Sequence, residues 1–257
     1  MRRQLQTLSA AVVALSVVAV HHAAAQTKDI RVLASNGVKA VLEALVPQCE
    51  QATGRRLTIQ FNSSAALKER IAAGEEFDVA IVTSDLIDSL IKDGKVTAAS
   101  RAGVARSGVG IGIRAGAAKP DVGTPEALKR TLLGAKAISY AQDGASRVYI
   151  AKMLDQLGIA DAVKSKTILE QGSVRSAGRV AKGDADVVMT LVSEILPIPG
   201  VELAGPFPAA VQSYVSFAAG IGAKATDPAA AKKLIGFLTG PGVEATFKAK
   251  GMEARER

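Results

Sequence analysis

The feature that most constrains this chain is a unit that recurs along it: a short apolar run, a turn of small polar residues, then an apolar face at helical spacing. The fullest copy starts at Leu57-Thr58-Ile59-Gln60-Phe61, where Leu57, Ile59 and Phe61 alternate onto one face of a strand. Asn62-Ser63-Ser64 follows, and then Leu67 and Ile71 sit four apart ahead of Gly74, which reads as a helix with a glycine stop. Ser and Asn at a helix start cap backbone N–H groups that have no partner within the helix. The same N–H groups, together with hydroxyl donors, form a receptor for an anion. Capping alone is the plainer account of an isolated Asn-Ser-Ser, so the functional reading depends on finding the same chemistry elsewhere.

The flanking units supply it. Ile30-Arg31-Val32-Leu33-Ala34 is a short strand leading through Ser35-Asn36-Gly37 into a helix that carries Val38, Val41, Leu42, Leu45 and Cys49. Pro47 lies inside that helix and predicts a kink or a split. Phe77-Asp78-Val79-Ala80-Ile81-Val82 is a third strand, and Thr83-Ser84-Asp85 opens a helix through Leu86, Leu90 and Ile91. Three strand–helix units in succession predict a parallel sheet covered by helices. Ligands of such sheets bind beyond the carboxyl ends of the strands, where these turns lie.

Residues 94–107 read as a polar, irregular passage near which the chain crosses from one half to the other. Gly108-Val109-Gly110-Ile111-Gly112-Ile113-Arg114 resumes as a strand. Its glycine spacing is not that of a dinucleotide fingerprint and instead predicts close backbone approach between the halves. Thr124-Pro125-Glu126 is an N-cap followed by proline, starting a short helix to Leu133. A strand at 137–140 then leads through Asp143-Gly144-Ala145-Ser146-Arg147 into a helix with Ile150, Met153, Leu154 and Leu157, stopped by Gly158. A strand at 166–169 leads through Gly172-Ser173-Val174-Arg175 into a helix ending at Gly183, and 186–191 is a further strand. The second half thus repeats the first. Residues 198–209, with four prolines between 197 and 208, read as the return crossing. A strand at 214–221, a helix from Asp227-Pro228 to Leu238 and a last helix beyond Gly240-Pro241-Gly242 complete the chain. The two crossings set the expected lobes at 27–105 plus 210–257, and 106–209.

Residues 1–25 follow a different logic. Arg2 and Arg3 precede an apolar run from Leu8 to Val20, and Ala23-Ala24-Ala25 offers a cleavage site before Gln26. The run is shorter than the roughly 20 residues a membrane span needs, so a cleaved export signal is expected in preference to an uncleaved anchor, with the remainder soluble in the periplasm. No Cys follows it to carry a lipid. Of the 32 Lys and Arg, Arg2 and Arg3 fall in this segment, leaving 30 against 24 acidic residues, a net charge of +6. His21 and His22, the only histidines, are lost as well. A Ser–His–Asp triad, a histidine base and a His-ligated metal are then unavailable. Cys49, the single cysteine, can form no internal disulfide and sits on the apolar face of its helix as a structural thiol. Scattered basic residues, 4% aromatics and no Trp argue against nucleic acid as a partner.

Several stretches together resemble a known family: Phe61-Asn62-Ser63-Ser64 with Leu67, Ile71 and Ala73-Gly74; Asp78-Val79-Ala80-Ile81; Thr131-Leu132-Leu133-Gly134; Tyr149 to Leu154 with Leu157-Gly158; and Gly240-Pro241. The whole chain after the export segment is similar to the molybdate-binding-protein-like branch of the periplasmic solute-binding proteins of ABC importers. The resemblance implies the type II periplasmic binding fold: two Rossmann-like α/β lobes joined by two crossing strands, with the ligand in the cleft between them. It implies a small anionic ligand held by neutral donors, delivery to an ABC permease in the inner membrane, a monomer, and no cofactor. The family's second-turn serine falls on Ser64, within Asn62-Ser63-Ser64, and its first-turn serine on Asn36, or on Ser35 if the register shifts by one. Main-chain donors fall on Ser146 and Val174. A fifth contact, often a tyrosine hydroxyl, falls on Leu191, which has no donor, with Thr190 beside it.

The physical chemistry of a buried anion agrees with that role. Donors must replace its hydration shell, and helix starts aimed from two lobes supply them once the lobes close. Arg147, next to Ser146, either pairs a ligand carboxylate bidentately or is an ordinary solvated helix residue. A receptor for a molybdate- or tungstate-like oxyanion is therefore expected, with a receptor for a small organic carboxylate or a sensory protein as alternatives. An enzyme on the same fold is disfavoured: histidine is lacking, no G-x-S-x-G elbow occurs, and the only carboxylates in the turns, Asp85 and Asp143, are far apart in sequence.

Overall fold

The computed structural model describes residues 28–254, so the expected export signal at 1–25 lies outside the described residues. In chain order the elements are β1 (Ile30–Ser35), α1 (Lys39–Thr53), β2 (Leu57–Asn62), α2 (Ser64–Ala72), β3 (Val79–Thr83), α3 (Ser84–Lys92) and β4 (Ala102–Arg114). Then follow α4 (Pro125–Gly134), β5 (Ile138–Ala141), α5 (Arg147–Gln156), α6 (Ala160–Lys164), β6 (Thr167–Glu170), α7 (Ser173–Lys182), β7 (Val187–Leu191) and α8 (Val192–Ile195). The chain ends with β8 (Val201–Pro206), β9 (Tyr214–Ile221), α9 (Pro228–Leu238), α10 (Glu244–Ala249) and β10 (Glu253–Ala254).

The strand order is β2-β1-β3-β9-β4-β7-β5-β6, with β8 and β10 paired to β4. β1, β2 and β3 are mutually parallel, as are β5, β6 and β7, so the order second–first–third occurs twice. The expected repeat is therefore present as two parallel triplets of strands. β4 joins them. Its residues Ala102–Gly108 pair with β9, and its residues Val109–Ile113 pair with β7. The return path is stitched to this changeover by Gln212, whose carboxamide accepts the Val109 N–H at 3.0 Å and donates to the Val109 and Phe207 carbonyls at 3.0 and 3.2 Å.

Both faces of the sheet are covered, which removes the alternation of a half-buried strand. In β3, Val79 and Ile81 join the large core while Ala80 and Val82 join a second core with Leu67, Ile71, Leu86 and Leu90. A third cluster lies in the other lobe around Val180, Val188 and Ile195. Each fully buried Leu or Ile contributes on the order of 1.5–3 kcal/mol.

The buried carboxylate of Asp78 locks the base of the first lobe. It accepts the Arg31 N–H at 2.8 Å, the Arg31 Nε at 3.2 Å, the Thr226 N–H at 2.7 Å and the Thr226 hydroxyl at 3.0 Å. Burial alone pushes its pKa up, but these bonds outweigh that and hold it below the usual carboxylate value.

Four expectations are corrected. α1 is not split at Pro47 but runs on as one helix, since Val41, Leu42, Leu45 and Cys49 anchor both sides of the proline in the core. The passage before Gly108 is not irregular throughout, because β4 begins at Ala102 and Val104, Ala105 and Ser107 are buried in it. The proline-rich return contains a strand, β8, paired along β4. The glycines of β4 do allow close approach, but Gly110 and Gly112 admit Val192 and Ile195 of α8 and residues of β7 and β8, which all belong to the second half.

Candidate functional site

The carboxyl ends of the parallel strands carry the polar turns. Between them lies a cavity of about 590 Å3. From the first lobe it is lined by Ser64, Ala65 and Lys68 of α2 and by Thr83, Ser84, Asp85, Leu86 and Ser89 around the start of α3. The second lobe contributes Asp143, Gly144, Ala145, Val148 and Tyr149, and the returning strand β9 contributes Val215 and Ser216.

The adjacent serines of the second turn divide the work. Ser63 is the N-cap of α2, its hydroxyl accepting the Ala66 N–H at 3.2 Å, while Asn62 Oδ1 accepts the Ser63 N–H at 2.8 Å. Ser64 is the first helical residue and points elsewhere: its hydroxyl accepts the Thr83 N–H at 3.3 Å. That leaves the Ser64 proton to donate into the cavity that Ser64 lines. The Thr83 and Ser84 hydroxyls make no side-chain hydrogen bond within the described residues. Lys68, one turn along α2 from Ser64, sets a cation on the same wall.

None of the other expected residues is among those that line this cavity. Ser35 caps the 3-10 turn Asn36–Val38, its hydroxyl 3.4 Å from the Gly37 N. That turn touches the second lobe: Ser193 donates to the Gly37 carbonyl at 2.8 Å, and a Cβ on Gly37 would lie 2.3 Å from Phe217 Cζ and 3.2 Å from Leu191 Cδ1. Ser146 is buried at the N-cap of α5 without a side-chain capping bond. Arg147 is exposed and donates to the Gln142 carbonyl at 2.6 Å. Val174, 60% exposed, stands in the first turn of α7. Thr190 is buried and donates its hydroxyl to the Glu194 carboxylate.

Several cavity residues escaped the sequence reading. Thr83 and Ser84 follow the same strand–turn–helix rule as Ser64 and were legible by it; Lys68 follows from the helical spacing. Asp85 and Asp143, far apart in sequence, line the same cavity, because the topology brings both turns to the same side of the sheet. The sequence distance between them is therefore no argument against joint action. Glu194 gave no signal, since its surroundings come from three separate turns. It accepts the Thr190 hydroxyl; burial nevertheless raises its pKa above the usual carboxylate value, with Asp143 adding to the rise.

Comparison with known proteins agrees with this architecture. The periplasmic molybdate-binding protein of Azotobacter vinelandii superposes with a TM-score of 0.75 at 21% identity, covering 89% of this chain and 100% of that one. The sulfate-binding protein of Mycobacterium tuberculosis superposes with a TM-score of 0.69 at 23% identity, covering 90% and 88%. The fold is thus that of the two-lobed periplasmic binding proteins. Residues 30–253 match the family model described as bacterial extracellular solute-binding protein, and the chain belongs to that family. An aconitate isomerase from Pseudomonas sp is 30% identical over 213 residues, 79% of either chain.

Proposed function

We propose that this protein is the exported solute receptor of an ABC importer, and that it closes its two lobes on a small organic polycarboxylate and presents it to the permease. The lining of the cavity carries the reading. Hydroxyl donors at Ser64, Thr83 and Ser84 and the cation of Lys68 share it with the carboxylates of Asp85 and Asp143 and with Ala65, Leu86, Ala145, Val148 and Val215. Neutral donors and one cation suit carboxylate groups, and the apolar wall suits a carbon skeleton that a bare tetrahedral oxyanion lacks. By the resemblance alone, the family's fifth contact falls on Leu191, which cannot donate. The 30% identity to a protein named for aconitate points to the same ligand class.

The test is a thermal-shift panel on ligand-stripped protein with molybdate, tungstate, sulfate, citrate, and cis- and trans-aconitate. A ligand at 100 times its dissociation constant stabilises by about 2.7 kcal/mol. Stabilisation by the acids and not the oxyanions is expected; the reverse would return the site to the oxyanion class.

A second reading, an isomerase acting on such an acid, is favoured by the same relative and by Asp85 and Asp143 meeting in the cavity. Proton NMR of trans-aconitate incubated with the protein in D2O separates the two. A receptor returns the acid unchanged, whereas an enzyme converts it to the cis isomer or exchanges its methylene protons.

A further inference from the structure

The two lobes do not offer a ligand the same chemistry. On the first lobe's side of the cavity stand the hydroxyls of Ser64, Thr83 and Ser84 and the ammonium of Lys68, all of which can donate. The single carboxylate on that side, Asp85, is exposed in the first turn of α3, where water keeps its charge solvated. The second lobe's wall is made by Asp143, Gly144, Ala145, Val148 and Tyr149, with no cation among them. Asp143 is the half-buried carboxylate of that wall, and a carboxylate only accepts hydrogen bonds.

Asp143 is also held in place. Its Oδ1 accepts the Gly172 N–H at 2.8 Å, which ties the turn before α5 to the N-cap residue of α7. The guanidiniums of those helices are directed elsewhere. Arg147 donates to the Gln142 carbonyl at 2.6 Å, Arg179 pairs with Glu170 and Asp184, and Arg175 is exposed. Among the described residues no salt bridge reaches Asp143, and its second oxygen accepts no hydrogen bond. Once the lobes close, that oxygen must take a donor from the ligand or lose its water without replacement, which costs free energy. A carboxylate of the ligand cannot serve, because it too only accepts and would set like charge against like.

We propose that the ligand lies across the cleft with its carboxylates on the first lobe and an alcohol of its carbon skeleton donating to Asp143. The receptor then selects hydroxylated di- or tricarboxylates over their deoxy analogues, and Asp143 makes the selection. The inference rests on the receptor reading above. An alcohol fits better than an ammonium group. Asp143 already holds one N–H at the start of α7, whose positive end offsets part of its charge, so a neutral donor completes the site without the desolvation cost of a second ion. The analogue that lacks the hydroxyl leaves a buried acceptor unpaired, which is how a polar site rejects a smaller ligand of the same shape.

The experiment is titration calorimetry of ligand-stripped mature protein with matched acids: citrate against tricarballylate, and malate against succinate, each pair differing by one hydroxyl. Aspartate supplies the ammonium counterpart of malate, and sulfate the oxyanion control. Wild type, D143A and D143N are compared, with thermal unfolding of each variant alongside. In the wild type the hydroxylated member of the pair that binds should be tighter by about tenfold or more. D143A should bring the two members within about threefold, by weakening the hydroxy acid while leaving the deoxy acid unchanged or tighter. If D143A does not fold, D143N decides: its amide oxygen can keep the Gly172 bond, and removal of the charge should still shrink the preference severalfold. Equal affinity for both members of each pair in the wild type overturns the proposal and leaves the polycarboxylate reading standing. A preference undiminished in the folded variants overturns it as well, as does tighter binding of aspartate than of malate. If sulfate binds and none of the acids does, the polycarboxylate reading and this proposal fall together.

Discussion

The neighbouring serines Ser63 and Ser64 make the sharpest test of the site, because one residue of register separates two different roles. Ser63→Ala removes the hydroxyl that accepts the Ala66 N–H at 3.2 Å. Loss of such a cap costs about 1 kcal/mol of stability. For a domain of this size that lowers the unfolding midpoint by roughly 2–4 °C. It should leave ligand affinity within about twofold, since the Ser63 hydroxyl is directed into its own helix. Ser64→Ala removes the acceptor of the Thr83 N–H, a bond already long at 3.3 Å, so the empty protein should lose about 1 kcal/mol, the low end for an unpaired buried donor. The ligand, however, loses a hydroxyl donor to a charged group, worth about 1.5–3 kcal/mol, or roughly 10- to 150-fold in dissociation constant. Calorimetric titration of both variants with the acid that emerges from the thermal-shift panel, alongside their thermal unfolding, gives all four numbers. Equal losses of affinity in the two variants, or unchanged affinity in Ser64→Ala, would refute the assignment of Ser64 to the ligand.

The cavity's cation is Lys68, whereas Arg147 is exposed and engaged with the Gln142 carbonyl. Lys68→Ala should weaken acid binding about tenfold, and Arg147→Ala should change it less than about threefold; titration calorimetry at fixed salt checks both. Asp78 has its pKa held down in the folded state, so its contribution to stability is complete above the unfolded value of about 3.9 and is lost as pH falls through the lower folded one. Asp78→Ala should cost about 3 kcal/mol or more in urea unfolding at pH 7, because it strands Arg31 and the Thr226 N–H, and acid should then destabilise the variant less than the wild type. The thiol of Cys49 is buried, and that burial, with Glu50 beside it, pushes its pKa up to about 12. Alkylation by iodoacetamide at pH 8 should therefore follow global unfolding; rapid labelling of the native protein would contradict the packing of α1.

Local signals in the sequence were reliable wherever the structure is decided locally. Thr124 before Pro125 and Asp227 before Pro228 both cap the helices they announce, accepting from Ala127 and Ala230. Gly54 and Gly183 both end helices in the left-handed region that glycine alone enters cheaply. The fold class followed because strand, turn and helix repeat in one order. The start of β4 was missed for a physical reason: a strand buried on both faces does not alternate, and Gly103-Val104-Ala105-Arg106-Ser107 gives no period to read. α8, at four residues, is too short to display helical spacing.

The site was legible as a set of turns but not as a set of side chains. A turn of three small polar residues sends one inward to cap its own helix and another across to a neighbouring strand, and Ser63 and Ser64 differ only in that direction. Which one faces the cavity depends on where the Thr83 N–H lies, and that is fixed by the placement of β3 within the sheet. The carboxylates make the same point more strongly. Separation along the chain was an argument against pairing Asp85 with Asp143, yet a parallel sheet gathers strand ends however far apart they are in sequence. On this fold, distance in sequence is no measure of distance at the cleft, so the choice between receptor and enzyme turns on whether a proton moves to or from the bound acid's carbon.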